Sequence, residues 1–192
     1  DIAGRSLQRL VASDLAFAVA PRLNAAGRLD DMTIGIHCLL AGDMHTAREA
    51  AARLDSLNQE RREIEKTMQQ QAEGMLSELA LTEDMQARRS VCLYQRGWHQ
   101  GVVGIVASRV KDKLHRPVIA FAEADEGVLK GSARSIPGLH IRDALERVSS
   151  VNPGLIHKFG GHAMAAGLSL QKHKFERFSE ALEATVSELL DL

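Results

Sequence analysis

Apolar residues recur three, four or seven positions apart along one long stretch of this chain and at shorter, alternating intervals after it. From Asp43, a residue type suited to capping, Ala47, Ala51, Leu54, Leu57, Ile64, Met68, Ala72, Met75 and Leu79 keep to one side of a 3.6-residue repeat. The spacing predicts one helix over 43–79, about 36 residues long, which at 1.5 Å per residue spans about 54 Å. Its centre, Asn58-Gln59-Glu60-Arg61-Arg62-Glu63, is polar on every side and reads as a solvent-crossing stretch between two bodies. The same polar centre breaks the seam that a coiled-coil dimer needs, so a monomer is expected.

Upstream, residues 1–42 are rich in Ala and Leu, with turn punctuation at Pro21 and Gly27, and read as the mostly helical tail of a preceding domain. Downstream, strand-like and helix-like segments alternate. A strand is expected at 91–95 and a helix at 101–114 that buries Val103, Val106, Ala107 and Val110. An apolar strand at 117–122, a polar turn at Asp125-Glu126-Gly127 and a pairing strand at 127–134 come next. A helix at 139–148, a turn at Asn152-Pro153-Gly154, a short strand at Leu168-Ser169-Leu170 and a final helix at 174–190 complete the series, the last with Phe175, Phe178, Leu182, Val186 and Leu189 inward. The expected class is α/β: a small mixed sheet flanked by helices over 88–192, preceded by a long linker helix at 43–80 and a helical tail at 1–42.

Composition narrows this picture little. With 192 residues, 45% hydrophobic and 26% charged, the chain has ordinary globular usage and room for one full domain with an appendage. No apolar run approaches the roughly 18 residues of a membrane span. The chain starts at Asp1 without an initiator methionine or a signal-like segment, and an excised or processed piece is expected. Cys38 and Cys92 lie in apolar contexts, which predicts buried reduced thiols and a cytoplasmic location. The net charge of −1 excludes a globally basic surface, so any phosphate binding must be local. The run Arg109 to Arg116 is one candidate patch, although positive side chains there equally suit the end of a helix.

Three segments carry candidate chemistry. In Lys158-Phe159-Gly160-Gly161-His162-Ala163-Met164-Ala165-Ala166-Gly167, small residues permit close approach of a ligand, paired glycines can turn N–H groups onto a phosphate, and His162 adds a donor. A tight turn into a closely packed helix gives the same spacing. In Lys130-Gly131-Ser132-Ala133-Arg134-Ser135, a strand puts Ser132 and Arg134 on one face, a hydroxyl and a guanidinium fork suited to a terminal phosphate. A solvated edge strand is the alternative. In the stretch from Pro21 to Asp31, Arg22, Asn24 and Arg28 are spaced among alanines, and surface pairing with Asp30 or Asp31 competes with ligand binding. Trp98 and His99 stand before Gln100-Gly101-Val102-Val103-Gly104, at the mouth of a helix whose free N–H groups favour anions; Trp98 there can stack on a base, although a lone tryptophan more often packs against its own domain.

Taken together, these segments, with Ser13 to Phe17, Leu57 to Glu65, Trp98 to Arg109 and Arg116 to Phe121, resemble the single-strand-specific DNA exonucleases of the DHH phosphoesterase superfamily across nearly the whole chain. The resemblance implies a nuclease that degrades single strands from the 5′ end in DNA repair and recombination, using two Mn²⁺ or Mg²⁺ ions. It implies that this chain holds the tail of the catalytic domain, a connecting helix and the DHH-associated, substrate-binding domain. The Asp-His-His signature occurs nowhere among these residues, and the eight histidines form no ligand pattern. Metal ligands and catalytic groups are therefore expected upstream, and the chain alone is expected to be inactive. Ser132 and Arg134 are the implied anchor for the 5′ phosphate, with Gly160, Gly161 and His162 holding phosphate nearby and Arg22, Asn24 and Arg28 contributing from the domain junction. Implied partners are single-stranded DNA, single-strand-binding protein and a recombination helicase. A superfamily member acting on oligoribonucleotides or cyclic dinucleotides, or a module that only docks a partner protein, remains open.

Overall fold

The computed structural model describes residues 2–79, 87–124 and 127–191. The turn expected at Asp125-Glu126 and the linker's expected end at residue 80 lie outside the described residues. The chain divides into two compact units, Asp1–Lys66 and Thr67–Leu192.

In the first unit, a short helix α1 (Ala12–Asp14) passes through a π-helical turn at Leu15–Val19 into α2 (Ala20–Leu29), followed by α3 (Thr33–Leu40) and the start of α4 (Met44–Leu79). Pro21 follows closely on the π-helical turn, where its missing N–H coincides with the change in helical hydrogen-bond spacing. Gly27 does not mark a turn: it lies inside α2, where an added Cβ would stand 3.3 Å from the Met32 sulfur, so it lets the chain fold back closely. Leu54 and Leu57 pack with Ala25 and Ala26. Asp43 caps α4 by accepting the Thr46 N–H at 2.9 Å and its hydroxyl at 2.7 Å, and these bonds hold its carboxyl below the usual carboxylate range. The polar centre of α4 is not solvated all round, as its composition suggested. Asn58 is 1% exposed and accepts from Arg61, which also pairs with Glu65. A buried amide needs a partner on its own helix face, and Arg61 three residues on supplies it.

The second unit is built on five strands, β1 (Val91–Tyr94), β2 (Val118–Glu123), β3 (Val128–Arg134), β4 (Lys158–Gly161) and β5 (Ala165–Gln171), in the order β1-β2-β3-β5-β4. Only β1 and β2 are parallel, joined by α5 (Val103–Leu114); all other pairs are antiparallel. Helices α6 (Ile141–Val151) and α7 (Phe175–Leu190) cover one face. There Ile119, Phe121, Leu129, Ala133, Ala166, Leu168 and Leu170 meet Ile141, Leu145, Val148, Phe178, Leu182 and Val186. The mixed α/β sheet and its flanking helices agree with the sequence expectation.

Several boundaries differ, among them those of the last strand, α6 and α5. The last strand runs over seven residues, because Ala165, Ala166 and Gly167 pair with Arg134, Ala133 and Ser132 and extend it. Helix α6 starts at Ile141, after His140 accepts the Asp143 N–H as its cap. Helix α5 starts at Val103 rather than Gly101. Two basic residues at the end of α5 are ion-paired, Lys111 with Asp112 and Lys113 with Glu73, and His115 closes the helix in the left-handed region at φ 52°.

Gly131 is demanded by the core. A Cβ there would stand 2.5 Å from the Phe121 ring and 2.8 Å from Leu168. Gly131→Ala is expected to destabilise the fold by about 1–3 kcal/mol through overpacking, read as a lowered urea midpoint at unchanged slope.

Candidate nucleic-acid interface

The face of the sheet away from α6 and α7 is unevenly covered. Helix α5 packs on β2 and β3, whereas Gly160, Gly167, Lys130 and Lys158 are exposed. Antiparallel pairing places directly opposite residues on the same face. The register therefore lays out three rows across β3, β5 and β4. Arg134 faces Ala165, with His162 next beyond it; Ser132, Gly167 and Gly160 form the second row; Lys130, Ser169 and Lys158 form the third. None of these positions carries a carboxylate. The sequence-expected Ser132, Arg134 and Gly160 thus share one face, and β3 is an interior strand of the sheet, not a solvated edge.

Arg134 is half-buried at the border of the α5-covered region. Its Nε donates to Ser108 Oγ at 3.1 Å, and Nη1 donates to Ser132 Oγ at 2.9 Å and to the Ala133 carbonyl at 2.8 Å. Ser108 in turn donates to the Gly104 carbonyl at 3.0 Å. A Cβ on Gly104 would stand 2.7 Å from Arg134 Nη2 and 2.9 Å from Ser132 Oγ, so this glycine exists to seat the guanidinium and hydroxyl beneath the helix. The result is a positive group fixed in orientation, next to a hydroxyl whose oxygen accepts from Arg134 and whose hydrogen remains to be donated outward. Sequence reasoning assigned no role to Gly104 or Ser108; two small residues four apart on α5 were the available signal.

The glycines separate into two kinds. Gly161 has φ +146°, and a Cβ would lie 2.5 Å from the Ala165 carbonyl and Ala166 Cα. The fold requires it. Gly160 has no atom within 4 Å of an added Cβ, Gly167 has only the Gly131 carbonyl at 3.9 Å, and neither has positive φ. Glycine weakens a strand by roughly 0.5–1 kcal/mol relative to alanine. Two paired glycines that neither backbone nor packing requires mark a surface kept clear for something that approaches closely.

Several expectations need correction. The Gly160-Gly161 pair does not enter a helix or curl into a phosphate-binding loop; it ends the extended edge strand β4, and its contribution is the missing side chain. The His162 N–H donates to the Ala165 carbonyl at 2.8 Å, closing a two-residue hairpin, so only its exposed side chain faces outward for binding. Trp98 is not placed to stack on a base: it is 4% exposed, and its indole N–H donates to Gln71 at 2.8 Å. The helix mouth after His99 is also occupied. His99 Nδ1 accepts the Gly101 N–H at 3.0 Å, and its carbonyl accepts from Val102 and Val103, which engages three of the N–H groups expected for an anion.

In the first unit, α2 turns Arg22 inward, where Nε meets Asp55 at 2.7 Å and Nη1 the Ala18 carbonyl at 2.6 Å. Asn24 and Arg28, four apart on the helix, are exposed. Asp30 pairs with Arg53 instead of either candidate arginine. Both cysteines are free and half-buried, and burial pushes the Cys92 thiol up to about 12, which removes it as a nucleophile at neutral pH.

The sheet, its single parallel pair and the open face beside an arginine seated under a helix define the class. The chain belongs to the DHHA1 domain family, whose model matches residues 88–188. Its curated relatives are similar along the whole chain. It is 54% identical over 191 residues to the single-stranded-DNA-specific exonuclease RecJ of Dickeya dadantii, and 54% identical to that of Escherichia coli, covering 100% of this chain and 33% of each relative. Among solved structures, Thermus thermophilus RecJ in complex with Mn²⁺ matches with a TM-score of 0.76 at 32% identity, over 92% of this chain and 25% of that one. The chain thus spans about a third of the length of the curated relatives it matches.

Among the described residues no group of three or more His, Cys, Asp or Glu is placed to hold a metal ion. The described residues therefore do not fit the Mn²⁺ or Mg²⁺ pair that the resemblance implies, and no hydrolytic step is assigned to them. No helix among the described residues is long and apolar enough to cross a membrane.

Proposed function

We propose that this chain is the strand-holding part of a RecJ-type nuclease that acts in DNA repair and recombination. In this reading, the open face of β3, β5 and β4 carries the sugar-phosphate backbone of a single strand, and the Ser132–Arg134 pair anchors its 5′ phosphate. Gly160 and Gly167 admit the backbone and His162 adds a donor at the rim; Asn24 and Arg28, exposed on α2, are separate phosphate-contact candidates of the first unit. Arg22 serves chiefly to hold α2 to α4 through Asp55. The Mn²⁺ or Mg²⁺ ions and the hydrolytic residues belong to the portion of the protein outside this chain. Residues 1–42 are the tail of that catalytic domain, 43–80 the connector and 88–192 the substrate-binding domain.

The observation that carries the reading is the pair of glycines at 160 and 167, which the fold does not require, beside a guanidinium that the fold fixes at the edge of the same surface. A phosphate-directed face of this kind positions a strand without reading bases, so binding is expected to be independent of sequence and sensitive to salt.

The test is a binding panel on the chain: 5′-phosphorylated hexathymidylate, the same oligomer with a 5′ hydroxyl, a cyclic dinucleotide, a short oligoribonucleotide and a blunt duplex. Tightest binding to the 5′-phosphorylated DNA strand supports the proposal. Preference for the cyclic dinucleotide or the oligoribonucleotide contradicts it and favours another branch of the superfamily.

A further inference from the structure

The third row of the open face has no role in the anchor just described. Lys130 on β3 and Lys158 on β4 face each other across Ser169 on β5, through the pairs Lys130–Ser169 and Lys158–Ser169. Both lysines are exposed, and neither forms an ion pair with a carboxylate among the described residues. Several other cations of the same unit are paired: Lys172 is bound to Glu123 at 3.0 Å, Arg142 to Glu146 at 3.0 Å and Lys113 to Glu73 at 3.5 Å. On neighbouring strands about 4.8 Å apart, positions 130 and 158 stand about 9.6 Å from each other, with the Ser169 hydroxyl between them.

The geometry points to a second phosphate subsite at Lys130, Ser169 and Lys158, which takes a backbone phosphate about two nucleotides behind the end anchored by Arg134. This rests on the reading of the open face as the strand's track. Arg134 and Lys130 are four residues apart on β3, about 13.6 Å along the strand, which is near twice the separation of successive phosphates in an extended single strand. The intervening row, Ser132, Gly167 and Gly160, presents one hydroxyl and two bare backbones, a low saddle over which the nucleotide between the two sites passes. Two flexible ammonium groups on either side of a hydroxyl suit an internal phosphodiester, which carries one charge and lacks the terminal group that a guanidinium fork grips. The division of labour is then specific: Arg134 reads the end, and the lysine pair holds the strand behind it.

The experiment compares the full chain with K130Q/K158Q and R134A, using fluorescence anisotropy on hexathymidylate carrying a 5′ phosphate or a 5′ hydroxyl, across a salt series. K130Q/K158Q is expected to weaken both oligomers alike, by about tenfold at low salt, and to flatten the slope of log K against log salt by about 1.4, the value for two lost phosphate contacts on a single strand. It keeps the preference for the 5′ phosphate. R134A abolishes that preference. Affinity and salt slope of K130Q/K158Q that equal those of the unmodified chain overturn the second subsite. If R134A keeps the preference while K130Q/K158Q loses affinity and slope, the anchor fails and the lysine subsite stands. If the unmodified chain binds neither oligomer, both fall. Circular dichroism of the variants is expected to be unchanged, since both lysine side chains are exposed.

Discussion

Arg134→Ala is expected to lower affinity for 5′-phosphorylated single strands by about 10–100-fold while changing affinity for 5′-hydroxyl strands by no more than about threefold. The expected size follows from the kind of bond lost. Hydrogen bonds to a charged group contribute about 1.5–3 kcal/mol each, and removal of one factor of that order corresponds to one to two decades in Kd. The specificity follows from geometry. The guanidinium is held by Ser108, Ser132 and the Ala133 carbonyl, so its orientation is set before any ligand arrives. Arg134→Lys keeps the charge but not the fork, and is expected to recover only a small part of the preference. A mutation that unfolded the domain would weaken both kinds of end equally. Equal losses, with the circular dichroism unchanged, would remove Arg134 from the anchor role.

Replacing Gly160 and Gly167 by alanine is expected to affect stability and binding with opposite signs. Neither substitution meets an atom closer than 3.9 Å and neither position has a positive φ, so the double variant is expected to fold as well as the parent or up to about 2 kcal/mol better, chiefly because the unfolded chain has less freedom to lose. Binding of single strands is expected to fall by about tenfold or more, because two methyl groups now occupy the surface on which the backbone lies. Gly161→Ala serves as the contrast. Its φ of +146° and the 2.5 Å approach to Ala165 and Ala166 predict lost stability first, with binding lost as a consequence. Urea unfolding and anisotropy measured on the same samples separate the two cases.

The sequence showed the fold where period and burial coincide. The 3.6-residue repeat of α4 and the alternation through β3 are both dictated by apolar spacing, and both elements formed as expected. Ser132 and Arg134 were placed on one face by the two-residue period alone. What spacing did not show was pairing between distant segments. That Gly160 and Gly167 lie side by side, and that Lys130 and Lys158 flank Ser169, follows from the strand order β1-β2-β3-β5-β4, which no local pattern specifies. The glycine segment was misjudged locally for the same reason: small residues permit a turn, a helix entry or an edge strand equally, and the hairpin contact between His162 and Ala165 decides among them. Trp98 and His99 preceded a helix as expected, yet Gln71 holds the indole and His99 itself caps the helix. Both partners satisfy polar groups that composition alone leaves open. The polar centre of α4 failed in the opposite way, because a buried asparagine paired with an arginine on the next turn looks, in sequence, like a solvated stretch.

The claim on which the rest depends is that the open half of the sheet, and not the basic end of α5, carries the strand. Backbone amide chemical-shift mapping of the chain during titration with 5′-phosphorylated hexathymidylate tests it directly. The account predicts the largest shifts at Lys130, Ser132, Arg134, Gly160, His162, Gly167 and Ser169, with little change over Arg109–Arg116 or along α6 and α7. Shifts concentrated at Arg109–Arg116, with the glycine rows silent, would contradict it.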